Sequence, residues 1–253
     1  MPASNSTTRF SDRVENYIRY RPGYPAEALE VLRKECGLRP EHVVADLASG
    51  TGIWTRMLLE NGNRVFGVEP NEAMREAGER LLEFPKFVSI VGTAEATTLA
   101  DASVDVITAA QAAHWFDPKR ARQEFARIAK PGAWLVLLWN ERLIDTTPFL
   151  REYEDLLLKY GTDYAEVRHE HTTDRVNEFF DPVPFEQRTF AMRQEFDYEG
   201  IEGRLLSSSY APGPGHPKYE QMLTELRRIF TKHAVNGLAT FEYTTRVYFG
   251  RIL

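Results

Sequence analysis

HVVADLASGTGIWTRMLLENG, residues 42–62, changes its hydrophobic period halfway along. Val43 to Leu47 is a short apolar run, the pattern of a strand buried on both faces. Ala48-Ser49-Gly50-Thr51-Gly52 then strings small residues together. From Ile53 the apolar positions recur at helical spacing until Gly62 stops them. A buried strand feeding an amphipathic helix through a tight turn is the opening unit of a parallel α/β sheet.

The pattern repeats downstream. RVFGVEP is a second strand, and Asn71 caps a helix over NEAMREAGERLLEF. FVSIVG and VDVITAA are a third and a fourth strand. Asp117 and Pro118 supply a cap and first turn for DPKRARQEFARIAK, and AWLVLLWN is a fifth strand. Upstream, Ser11 is a cap for a short helix ending before Pro22, and Pro25 opens a helix running to Gly37. The part after residue 145 differs. PFLREYEDLLLKYG is helical, residues 161–184 carry no clear pattern, and FEQRTFAMRQEF alternates like an exposed strand. A helix over Gly200–Leu206, a PGPGHP turn cluster and a helix in PKYEQMLTELRRIFTKHA follow. LATFEYTTRVYFGRIL closes the chain as a β-prone run, so two late strands add an antiparallel edge to the parallel sheet.

Composition narrows the function. The 253 residues carry a net charge of −6, against a protein that grips phosphate backbones. Arg9, Arg13, Arg19 and Arg21 are interleaved with Asp12 and Glu15, as on a solvated helix face. A lone cysteine, Cys36, allows no intrachain disulfide and no cysteine metal cluster, and suits a reducing, cytoplasmic setting. No secretory signal or membrane-length apolar run is evident. His169-Glu170-His171 has the wrong spacing to share a helix face and no third ligand, so no metal is expected.

Four motifs fall at the carboxyl ends of predicted strands, where open α/β sheets bind ligands. The Asp46 to Gly52 turn lets backbone approach a ligand at a helix N-terminus. Thr55 stands where a dinucleotide fingerprint needs its third glycine. Glu69, 17 residues after Gly52, is placed to accept hydrogen bonds from both hydroxyls of a ribose. Gly92-Thr93-Ala94-Glu95 follows the third strand, and Gln111-Ala112-Ala113-His114-Trp115-Phe116-Asp117 follows the fourth. The His114-Trp115 pair has two readings, a plug under the next helix or a direct role toward substrate.

The run from Phe10 to Asn140 resembles the class I, type 11 methyltransferase domain. FSDRVENYIRYRPGYP, GTAEAT, DASVDVITAAQAAHWFD and TTRVYFGRIL resemble the trans-aconitate methyltransferase-like subgroup. The resemblance implies a Rossmann-like, doubly wound, mostly parallel seven-strand sheet of order 3-2-1-4-5-7-6 with the last strand antiparallel. It implies S-adenosyl-L-methionine as cofactor, with Asp46, Ala48, Gly50 and Gly52 around its methionine part. Glu69 then holds the ribose, Thr93, Ala94 and Glu95 lie near the adenine, and Gln111 lies beneath the sulfonium end. Ala48 stands where the family often has Gly, and Thr93 where many relatives have Asp. The expected organisation is a flexible tail over 1–10, a helical lid over 11–37, a cofactor-binding core over 38–145 and substrate-side helices and closing strands over 146–253.

The expected activity is transfer of a methyl group to a small-molecule acceptor, such as the carboxylate of an organic acid, by a monomer or weak homodimer without nucleic-acid or membrane partners. A carboxylate is ionised at neutral pH and needs no base. For a hydroxyl or amine acceptor, His114 is the best-placed base. Arg21, Tyr24, Arg204 and Tyr210 are the candidate substrate contacts, Arg204 because a guanidinium matches a carboxylate with two hydrogen bonds. Two rival readings are a non-catalytic protein binding S-adenosylmethionine or S-adenosylhomocysteine, and an NAD-dependent oxidoreductase, which the missing glycine disfavours.

Overall fold

The decisive stretch folds as β1 (Val43–Leu47) and α3 (Ile53–Glu60), joined by the small-residue turn. The computed structural model describes residues 13–167 and 172–252. Before β1 lie α1 (Val14–Tyr20) and α2 (Ala26–Lys34). After α3 come β2 (Arg64–Val68), α4 (Glu72–Leu81), β3 (Phe87–Ile90), β4 (Val104–Ala110), α5 (Pro118–Ile128) and β5 (Ala129–Arg142). The remainder is α6 (Pro148–Tyr160), α7 (Tyr164–Val167), α8 (Thr172–Phe180), β6 (Phe185–Phe196), α9 (Tyr198–Leu206), α10 (Tyr219–His233) and β7 (Ala239–Arg251).

The seven strands stand in the order β3-β2-β1-β4-β5-β7-β6. The first five are parallel, while β7 runs antiparallel to both its neighbours. This is the expected topology. One face of the sheet packs on α5 and α8 through Phe125, Val176 and Phe179. The other packs on α2 and α3 through Leu32, Trp54 and Leu58. A third apolar cluster lies among α6, α9, α10 and the first half of β7, around Tyr153, Ile201 and Phe241.

Several local expectations shift. The Ser11 cap lies outside the described residues, and Arg13 stands at the N-cap of α1 without a side-chain cap. Pro25 is the N-cap of α2 rather than its first-turn residue, and that helix stops at Lys34. Strand β5 starts at Ala129, because a register shift lets Ala129 pair with Val104 ahead of the main ladder. In the unassigned stretch 161–184, Val176, Phe179 and Phe180 are the apolar face of α8. Polar neighbours on its other positions hid that spacing. His169-Glu170-His171 lies outside the described residues. Among the described residues no group of metal-ligating side chains assembles, and no helix is long and apolar enough to cross a membrane.

Candidate active site

The register of the sheet sets the floor of the site. Asp46 on β1 pairs with Thr108 on β4. The Thr108 hydroxyl donates to Oδ1 of Asp46 at 2.9 Å, and the Thr55 hydroxyl, on α3, donates to Oδ2 at 2.5 Å. Asp46 is 1% exposed. Burial pushes its pKa up to about 6, against those two hydrogen bonds and with the nearby Glu69 charge adding to the rise.

Beyond Asp46 the backbone turns sharply. Ala48, Gly50 and Gly52 all have positive φ, at 51°, 58° and 87°. Gly52 is the N-cap of α3, and a Cβ there would meet Leu82 Cδ1 at 2.4 Å. The turn therefore brings bare backbone against the N-terminus of α3, where partial positive charge collects.

Glu69 leaves the end of β2. Its Oε2 accepts the Gly50 N–H and its Oε1 accepts the Asn71 N–H, each at 2.8 Å. Each oxygen retains a further lone pair, so the carboxylate shapes the turn and still has acceptor capacity for a diol. Burial raises its pKa in spite of both backbone donors. Asn71 then caps α4 by accepting the Met74 N–H.

The far rim comes from the loops after β3 and β4. Thr93 bridges Ala96, and Glu95 accepts the Asp117 N–H at 2.9 Å. Gln111 has φ 60°, an uncommon conformation for a residue with a side chain. Its Nε2 donates to the Asn140 carbonyl at 3.1 Å, while its Oε1 is buried without a hydrogen-bond partner. The His114 and Trp115 rings stand 4.6 Å apart, centre to centre.

The N-terminal segment adds Tyr17, Arg21, Pro22 and Tyr24 to the lining. Arg13 donates to the carbonyls of Leu206, Ser208 and Ala211 at and beyond the end of α9. Gly203 makes room on α9 for the Tyr20 ring, which a Cβ there would overlap at 2.0 Å. Arg21 lies over the Tyr17 ring at 5.0 Å and donates to the Ser207 carbonyl, while its Nε is buried and unpartnered. Tyr24 packs edge-on against Trp54, at 5.4 Å.

These elements enclose one cavity at the carboxyl edge of the sheet. It brings together Asp46, Ala48, Gly50, Glu69, Thr93, Ala94, Glu95, Gln111, His114, Trp115, Arg21, Tyr24 and Tyr210. Two expected residues do not line it. Gly52 acts one step back, through turn geometry and its contact with Leu82. Arg204 is 6% exposed and held by the Tyr243 hydroxyl and Ser208. It still acts on the wall electrostatically, since burial first and the Arg204 charge second lower the Arg21 pKa. His216, in the turn before α10, is exposed and accepts the Lys218 N–H.

Sequence reading missed Trp54, Asn140 and Thr245. Trp54 lines the cavity with an unpartnered, buried Nε1, while in the sequence it is one more apolar position of an amphipathic helix. Asn140 and Thr245 are far apart in the chain and face each other only through the β5–β7 register. The lining fits a charged nucleoside with an amino-acid tail. There is bare backbone at Gly50, a diol-capable carboxylate at Glu69, buried unpartnered donors on Arg21 and Trp54, and the Asp46 carboxylate on the same lining.

A sheet of this order, with such a cavity over the ends of β1, β2 and β4, defines the class of S-adenosylmethionine-dependent methyltransferases. The sequence profile of the methyltransferase domain matches residues 45–137. An uncharacterized methyltransferase of Mycobacterium tuberculosis is 43% identical over 240 residues, covering 91% of this chain and 90% of that one. A type II methyltransferase candidate from Anaeromyxobacter dehalogenans superimposes with a TM-score of 0.68 at 26% identity, covering 92% of this chain and 99% of that one. At 14% identity the fold is shared with geranyl diphosphate methyltransferase solved with S-adenosylmethionine, with a TM-score of 0.51 over 90% of this chain and 85% of that one. The chain belongs to the class I S-adenosylmethionine-dependent methyltransferase family. It is an enzyme, and S-adenosyl-L-methionine is its cofactor.

Proposed function

We propose that the enzyme methylates a small organic acid and that a carboxylate oxygen of the acceptor receives the methyl group. The observation that carries this reading is the pair of arginines at the acceptor side. Among the described residues neither Arg21 nor Arg204 forms an ion pair with a carboxylate. A buried cation without a counter-charge is costly, and an anionic ligand beside it removes that cost. The resemblance to the trans-aconitate methyltransferase-like subgroup points the same way.

The bound cofactor supplies a methyl group already activated by a positive sulfur. The chain then has to bind, orient and exclude water. Asp46, Gly50 and Glu69 are proposed to hold the cofactor, with Thr93, Ala94 and Glu95 toward its base. Arg21, Tyr24 and Tyr210 are proposed to hold the acceptor, with Arg204 supporting Arg21 from behind. The segment 11–37 is the proposed lid, 38–145 the cofactor-binding core, and 146–253 the acceptor side. His114 and Trp115 wall the reacting centre and keep it dry. An ionised carboxylate attacks without losing a proton, so this reading assigns His114 no proton to carry.

The test is a transfer assay with methyl-labelled cofactor over small carboxylic acids and phenols. Base-labile methyl esters of one or more acids are expected. Faster turnover of neutral phenols than of any acid would remove the acid reading and return His114 to the role of base.

A further inference from the structure

At the end of β5, Asn140 is buried and all its side-chain polar atoms are engaged. Nδ2 donates to the Gly23 carbonyl at 2.7 Å, and Oδ1 accepts from the Thr245 hydroxyl at 2.6 Å. Its main-chain carbonyl accepts from Gln111 Nε2. The chemistry of these partners fixes both amide orientations. A carbonyl can only accept, so the Asn140 atom facing Gly23 must be the nitrogen, and the Gln111 atom facing Asn140 must be the nitrogen too. Gln111 Oε1 is thereby left as an acceptor at the cavity wall, buried and without a protein partner. Gly23 is the middle of the strap that carries Arg21, Pro22 and Tyr24 into the same wall.

We propose that Asn140, oriented by Thr245, is a positioning residue for methyl transfer: it latches the 21–24 strap over the cavity and presets Gln111 with its acceptor oxygen toward the ligand. The proposal rests on the methyltransferase assignment and is independent of the acceptor's identity. Thr245 and Asn140 are register partners on β7 and β5. One hydroxyl, more than 200 residues from Gly23 in sequence, thus holds the strap in place. Pre-organisation of this kind strengthens binding by removing an ordering cost. Gln111 sits at φ 60°, so its side chain is aimed by a strained backbone as well as by Asn140.

The experiment is calorimetric titration of S-adenosylhomocysteine into the wild type and into Thr245→Val, Thr245→Ser and Asn140→Asp, with thermal unfolding of each. Thr245→Val deletes the hydroxyl that orients the amide and should weaken binding roughly tenfold, the scale of one net hydrogen bond. Thr245→Ser restores the hydroxyl and should bind within about twofold of wild type. Asn140→Asp has no donor for the Gly23 carbonyl and should bind at least as weakly as Thr245→Val. Should Asn140→Asp fail to fold, the Thr245 pair carries the test alone, because rescue by serine is not expected of a merely space-filling residue. Affinities within twofold for Thr245→Val, or a Thr245→Ser as weak as Thr245→Val, would overturn the latch. A wild type that does not bind S-adenosylhomocysteine would instead overturn the methyltransferase assignment itself.

Discussion

The two sides of the cavity are built by different means. The proposed cofactor side is made of backbone and near neighbours, since Asp46, Ala48, Gly50 and Glu69 fall within one β-α-β unit. Their contacts are short-range: Gly50 to Glu69 spans 19 positions and Asp46 to Thr55 spans 9. The proposed acceptor side is made of side chains from distant segments. Arg21 reaches Ser207 across 186 positions, and Asn140 meets Thr245 across 105. A site assembled from a turn can be changed only by altering the turn. A site assembled from separate elements can change its ligand one side chain at a time, which suits a cofactor side that is shared and an acceptor side that varies.

The largest effect is expected at Glu69. Two hydrogen bonds to a charged group are worth roughly 1.5–3 kcal/mol each. Glu69→Ala should therefore weaken S-adenosylhomocysteine binding by about a hundredfold or more. The same carboxylate also accepts the Gly50 and Asn71 N–H groups. Stability should fall too, by about 1–3 kcal/mol for each buried donor left unpaired. Titration and urea unfolding of one variant separate the two losses. Unchanged affinity with reduced stability would make Glu69 a turn-shaping residue only, and the cofactor side would lose its ribose contact.

Asp46 should show a loss of binding joined to a gain in stability. Its folded pKa of about 6 lies above the unfolded carboxylate value. Between the two the native state binds more protons, so stability falls as pH rises through that window and is flat above it. A gap of about two units corresponds to about 3 kcal/mol. Asp46→Asn, uncharged at every pH, should be more stable than wild type at pH 8 by up to that amount. The gain should vanish by about pH 4. Thermal unfolding of the ligand-free protein across that range reads it, and a pH-independent difference would show that the Asp46 charge is not the source of strain.

Legibility in the sequence followed the same divide. The strand-turn-helix period around residue 47, the Asn71 and Asp117 caps and the β-prone ending are local signals, and they gave the number of strands and the parallel α/β class, while the strand order came with the family resemblance. Glu69 was readable because spacing alone places it. Arg204 was a reasonable choice of anion ligand from its neighbourhood, yet a helix arginine buries or projects according to what packs above it. Here Tyr243 and Ser208 draw it behind the wall, and Arg21 stands in front. Asn140 carried no signal, since its partner Thr245 belongs to a strand whose register only the folded sheet fixes.

The arginines give the next smaller effect. One charge-assisted hydrogen bond is worth roughly 1.5–3 kcal/mol, or about tenfold to a hundredfold. If the acceptor is the proposed acid, Arg21→Met should raise its KM by that factor. Arg204→Met should raise it less, because Arg204 acts through its charge rather than by contact. Steady-state kinetics on both variants decides the order. A larger effect at Arg204 would mean that the wall rearranges around the acceptor.

The smallest effect is expected at Ala48, and it tests whether the cofactor side is specified by backbone. At φ 51° an alanine is strained, and the left-handed region costs an L-residue roughly 1–2 kcal/mol. Glycine relieves that strain but frees the unfolded chain by roughly 0.4–1 kcal/mol. It also gives up the partly buried methyl that packs on the sheet core. The contributions nearly cancel, so Ala48→Gly should leave stability within about 0.5 kcal/mol of wild type. Ala112 lines the same cavity but has φ −126°, where alanine carries no such strain. Ala112→Gly should lose about 1 kcal/mol from the same entropy and burial with nothing returned. Urea midpoints of the two variants give the comparison. Equal losses would mean that the turn holds Ala48 without strain, and that the family's frequent glycine there answers to close approach of the ligand rather than to φ.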